Sequence, residues 1–113
     1  MEAKSLRSLM IKHFGFLEED YGFTYESSSC NHASCRYVKS TLAIEIQHMN
    51  GQLKVLFLRK EESKSLAEVM SELLKKEFLY PEHFSSWVLS MGDVDSRLAY
   101  DANLIKVYAK DIL

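Results

Sequence analysis

The chain has 113 residues, 47% of them hydrophobic and 27% charged, with a formal net charge of −2. That length accommodates one ordinary domain, and the balance of apolar and charged residues excludes both a disordered chain and a low-complexity one. A near-neutral chain with no block of one sign lacks the basic footprint of a nucleic-acid binder, so no nucleic-acid partner is expected.

The chain is expected to form a single globular domain over 1–113 that spans no membrane, because no apolar run approaches the 18 or so residues a span requires. Met1 to Ser8 carries no apolar signal-peptide stretch, which places the expected protein in the cytoplasm.

Residues 3–21 show helical periodicity: Leu6, Leu9, Met10, His13, Phe14, Leu17 and Tyr21 recur at spacings that line one face. Gly22 then stands where a helix stops, since glycine enters the left-handed conformation without a Cβ clash. Gly15 weakens the interior of this helix. Glu18, Glu19 and Asp20 form a solvated acidic rim near its end.

Beyond Gly22 the period changes to two. Phe23–Glu26 and Cys35–Lys39 read as strands, joined by the small polar stretch 27–34. Leu42–Met49 and Gln52–Leu58 flank Asn50-Gly51, the strongest short hairpin signal, because a type I′ turn needs positive φ at both central positions. A two-residue loop pairs Met49 with Gln52, and the steps outward then pair His48 with Leu53, Ile46 with Val55 and Ile44 with Phe57 on one apolar face. The opposite face then carries Gln47 across from Lys54, Glu45 across from Leu56 and Ala43 across from Leu58. Ser65 and Glu68 make a capping box, and Leu66, Val69, Met70, Leu73, Leu74 and Phe78 line the helix it opens. A short helical segment is expected over 82–89, and a last helix over 94–112 with Leu98, Ala102, Ile105, Tyr108, Ala109 and Ile112 on one side. The expected fold class is α+β: an N-terminal helix, a four-stranded antiparallel meander, then two or three C-terminal helices packed on one sheet face.

The chain carries no nucleophile elbow, no phosphate-cradling glycine loop and no paired-histidine metal motif. Cys30, His32 and Cys35 could supply three zinc ligands, but no fourth follows. A transient disulfide between Cys30 and Cys35 is a second reading, and two free thiols are the preferred one in a reducing compartment. No cofactor and no catalytic or metal residue is therefore assigned. His48, on the apolar sheet face, reads as a half-buried structural residue.

The segment Phe14-Gly-Phe-Leu-Glu-Glu-Asp-Tyr-Gly-Phe23 resembles the F-x-F-L-x-x-x-Y-G-F opening of a group of small bacterial proteins, many of them suspected immunity proteins of polymorphic toxin systems. Arg36–Ile46 and Leu104–Leu113 are similar to further segments of that group. The resemblance implies a non-enzymatic binding role with a toxin as protein partner and carries over no catalytic residue. The expected binding surface is the sheet face away from the helices, with Tyr25, Tyr37 and Leu56 as anchors and Glu45, Gln47 and Lys54 around them. A homodimer is compatible with the same surface. The runner-up is a small-ligand or regulatory domain with a pocket between sheet and helices. A small enzyme with catalytic groups scattered along the chain is a third.

Overall fold

A computed structural model of the chain describes residues 3–26, 33–81, 84 and 90–113. Glycine divides the N-terminal helix. α1 (Ala3–Phe14) and α2 (Phe16–Tyr21) meet at Gly15, so the expected single helix over 3–21 is two. A Cβ on Gly15 would stand 2.8 Å from the Ile11 carbonyl oxygen, closer than side chains approach a backbone, which is why glycine occupies the break. Gly22 ends α2 in the left-handed region (φ 74°), as its position after the last periodic residue predicts.

The described residues form a five-stranded antiparallel sheet in the order β1 (Thr24–Glu26), β2 (Ala33–Lys39), β3 (Leu42–Met49), β4 (Gln52–Arg59) and β5 (Glu62–Ser65). The expected meander therefore gains a strand. Phe23 precedes β1 rather than opening it, and β2 begins two residues earlier than Cys35. The register of β3 on β4 is the one the Asn50-Gly51 turn dictates, from Met49 opposite Gln52 to Ala43 opposite Leu58. Two further two-residue turns join neighbouring strands, with positive φ at their first central residue alone: Ser40-Thr41 between Lys39 and Leu42, and Lys60-Glu61 between Arg59 and Glu62. Ser40 (φ 54°) and Lys60 (φ 40°) take the positive φ such turns require, without asparagine or glycine to signal it.

Ser65 closes the sheet and caps α3 (Leu66–Leu74). Its Oγ accepts from the Glu68 backbone N–H, and Glu68 Oε1 accepts from the Ser65 N–H, each at 3.2 Å. α4 (Met91–Tyr108) begins three residues before the expected Val94 and ends before a 3-10 turn at Lys110–Ile112. Ser90 caps it by accepting from Asp93 N–H. Leu98, Ala102, Ile105 and Ala109 are buried as their spacing predicts, whereas Tyr108 and Leu73 are exposed. The expected helical segment over 82–89 lies outside the described residues apart from Phe84.

One core unites these elements. Leu6, Met10, Phe14 and Leu17 from the N-terminal helices are buried with Cys35, Tyr37, Ile44, Ile46, Val55 and Phe57 from the sheet. Leu66, Val69 and Met70 of α3 and Val94, Leu98 and Ile105 of α4 complete it. α1 touches β2 and crosses α4, and α3 touches β4.

Candidate functional site

Strand register sorts the sheet residues onto two faces, because successive side chains alternate. Tyr25, Tyr37, Ile44 and Phe57 are aligned across β1 to β4, and Cys35, Ile46 and Val55 form the next row. This face looks toward α1: the Cys35 Sγ lies 4.0 Å from the Arg7 carbonyl oxygen. The other face is a grid of three rows. Thr24, Val38, Ala43, Leu58 and Ser63 make one, Glu26, Arg36, Glu45, Leu56 and Ser65 the next, and Ser34, Gln47 and Lys54 the third.

The six residues expected to form one binding surface are thereby divided. Glu45, Gln47, Lys54 and Leu56 share the second face. Tyr25 and Tyr37 belong to the first, one strand step from their expected position, so they are not anchors of the surface the other four share. Tyr37 is fully buried, with its ring 5.5 Å from that of Tyr25. Its hydroxyl has no hydrogen-bond partner among the described residues. Burial pushes the Tyr37 phenol far above its ordinary range. Tyr25 is half-buried, and its hydroxyl lies 3.8 Å from the Cys35 thiol. Burial also pushes that thiol's pKa upward, away from the thiolate. Cys30 and His32, the other members of the cysteine–histidine cluster, lie outside the described residues.

Glu45 corrects a second expectation, for it is buried rather than exposed. β3 is a central strand, so Glu45 has Arg36 directly across on one side and Leu56 on the other, at the short separation of cross-strand pairs. Arg36 covers it, with Nη2 at 3.1 Å and Nε at 3.3 Å from Oε1, while Gln47 Nε2 donates to Oε2 at 2.5 Å. Gln47 is half-buried, Leu56 half-buried and Lys54 exposed. Beside this polar group, Val38, Ala43, Leu56 and Leu58 are adjacent in the grid and partly exposed. None of the four belongs to the core or packs against it.

Two polar clusters join elements distant in sequence. His13 Nε2 lies 2.6 Å from Asp95 Oδ1, linking α1 to α4, and that contact holds the Asp95 carboxyl below its usual range. Asp101, three residues after Leu98 and four before Ile105 on the inward face of α4, is buried. Tyr80 Oη donates to its Oδ1 at 2.9 Å, Arg97 Nε pairs with Oδ2 at 3.5 Å, and the Arg97 guanidinium lies over the Tyr80 ring at 3.8 Å. Burial raises the Asp101 carboxyl to about 6 against the opposing pull of Arg97. His48 is half-buried on the sheet face that carries Ile44 and Ile46. Among the described residues no three His, Cys, Asp or Glu side chains are grouped to hold a metal, and no helix is long and apolar enough to cross a membrane.

Compared with known proteins, the chain matches no family, no curated protein and no solved structure.

Proposed function

We propose that this chain is a non-enzymatic binding protein of the immunity type, which sequesters a bacterial toxin in the cytoplasm. In this reading the helices together cover one side of the sheet and the other side meets the toxin. The observation that carries it is the contiguous patch of Val38, Ala43, Leu56 and Leu58, partly exposed and outside the core, beside the fixed Arg36–Glu45–Gln47 group. An apolar centre with a polar margin is the anatomy of a protein interface, and a carboxylate already paired loses little freedom on docking. The resemblance of Phe14–Phe23 to immunity proteins supports the same reading.

The test is co-expression with the toxin encoded beside the gene. Wild-type protein should preserve growth. Leu56→Ala and Leu58→Asp should lose protection while keeping a wild-type circular dichroism spectrum, with binding weakened by about 2 kcal/mol or more. Full protection by both folded variants would refute the sheet-face reading. Failure of the wild type to protect would refute the immunity role itself.

A further inference from the structure

On the helix side of the sheet, a cleft opens where β4, β5, α3 and the C-terminal turn meet. Its inner compartment, about 150 Å³, has Phe57, Val69, Leu73 and Ile112 as apolar walls. An outer compartment of about 260 Å³ is lined by Lys39, Ser40, Thr41 and Leu42. Arg59 and Ile112 border both, so Arg59 belongs to the junction of the two compartments, the inner of which also has Glu62, Lys64 and Glu72 in its lining.

The cations around the cleft differ in what already holds them. Lys64 is fixed between Glu62 at 2.8 Å and Glu72 at 2.5 Å. Lys39 donates to the Leu113 main-chain oxygen at 3.3 Å and lies over the Phe23 ring. Arg59 makes neither an ion pair nor a hydrogen bond among the described residues. No described Asp or Glu lines the outer compartment, whereas Ser40, Thr41 and Leu113, whose main-chain oxygen Lys39 holds, do. A guanidinium that makes no ion pair or hydrogen bond among the described residues, with Glu62 across the strands from it, two hydroxyl-bearing residues and the adjoining apolar walls complement one kind of molecule: a small monoanion with an apolar body. A planar carboxylate suits the guanidinium fork, which grips it through two parallel hydrogen bonds. A compartment of about 150 Å³ holds one benzene-sized group, which sets the body at a single ring. Glu62 and Glu72 on the inner rim, tied up by Lys64 yet still anionic, disfavour a second negative charge on the ligand.

The geometry points to a second binding site, for a small aryl or alkyl monocarboxylate, with its body against Phe57 and Leu73 and its carboxylate on Arg59. This site is independent of the toxin reading, because Phe57 and Arg59 belong to the face opposite Leu56 and Leu58.

Titrating phenylacetate into the full chain, followed by amide chemical shifts, tests it. Shifts should centre on Phe57, Arg59 and Leu73. Acetate, which lacks the ring, 2-phenylethanol, which lacks the charge, and benzylamine, which reverses it, should each bind at least about tenfold more weakly, the equivalent of one well-made interaction. Arg59→Gln should weaken phenylacetate by about the same factor, and Leu73→Glu, at an already exposed position, should abolish binding with the fold intact. The inference is overturned by absence of shifts at millimolar phenylacetate, by 2-phenylethanol or benzylamine binding equally well, or by a folded Arg59→Gln protein that binds unchanged.

Discussion

Arg36 lies directly across from Glu45 and donates to its Oε1 from Nη2 at 3.1 Å, an ion pair built on the sheet face that looks away from α1. The glutamate side chain is 9% exposed and the arginine 38%. Water therefore screens one partner and hardly reaches the other, and the two are not energetically equivalent. Arg36→Ala leaves a desolvated carboxylate without its cation and should cost about 1–2 kcal/mol, the penalty trimmed by the half-exposed position of the guanidinium. Replacing both, as Arg36→Leu with Glu45→Val, should cost less than the sum of the single changes, with a coupling of about 1 kcal/mol. Urea denaturation of the four proteins measures the cycle. Strict additivity would show that the contact carries no energy.

Tyr37 offers a test of opposite signs at one site. Its ring fills the core while its hydroxyl has no hydrogen-bond partner among the described residues. Tyr37→Phe should therefore raise stability by about 1 kcal/mol, since a buried polar group left unbonded is a cost. Tyr37→Ala should lower it by about 3–5 kcal/mol through the cavity it opens. Thermal melts of both variants read the two shifts.

Asp101 should make stability fall as pH rises. Its carboxyl, raised to about 6 by burial, holds a proton in the folded chain that the unfolded chain has released. Between about pH 4 and pH 6 the folded state binds more protons, so this group's contribution is fully present below about 4 and lost as pH climbs through about 6. The loss is of order 2–3 kcal/mol for a shift of this size. Asp95 acts in the reverse sense, its depressed carboxyl favouring the fold above its unfolded pKa and losing that effect in acid. Comparing the chain with Asp101→Asn across pH 3.5–7.5 isolates the first effect. The difference in unfolding free energy should slope over the window between the two pKa values and be flat above it.

Gly15→Ala places two physical effects in conflict. Helix propensity favours alanine by about 1 kcal/mol, but the new Cβ would meet the Ile11 carbonyl oxygen at 2.8 Å. The clash is with backbone, which cannot swing aside, so the substitution should destabilise. A raised melting temperature would show that the break between α1 and α2 straightens at no cost.

Where local chemistry and hydrophobic period agree, the fold is legible in the residues. Asn50-Gly51 fixed the β3–β4 register, Ser65 and Glu68 the start of α3, and Gly22 the end of α2. β5 escaped because Glu62-Ser-Lys-Ser65 has no apolar alternation, and its turn uses Lys60 in a conformation asparagine or glycine usually signals. The second sheet face was legible as to which residues share it, but not as to their exposure. Glu45 is covered by a neighbour ten positions or fewer away in sequence yet on another strand. Tyr37 was misplaced because the Ser40-Thr41 turn has no asparagine or glycine to fix the register of β2 on β3, and Tyr25, which pairs with Tyr37, was misplaced with it. The spacing of His13 and Asp101 puts each on the inward face of its helix, but the partners they meet there, Asp95 and Tyr80, depend on tertiary packing that no sequence period reports.

The three successive two-residue turns between β2 and β5 also set the order in which the chain can assemble. Each strand from β3 onward pairs with the one just made, so the loops to be closed are as short as loops can be and the entropy lost in closing them is small. Joining α1 to α4 is different: His13 and Asp95 are 82 residues apart. Folding rates track the sequence distance between contacts, so the meander is the natural first unit and the docking of α1 on α4 follows it. Weakening the helix-to-helix contact should then speed unfolding and leave the folding rate almost untouched.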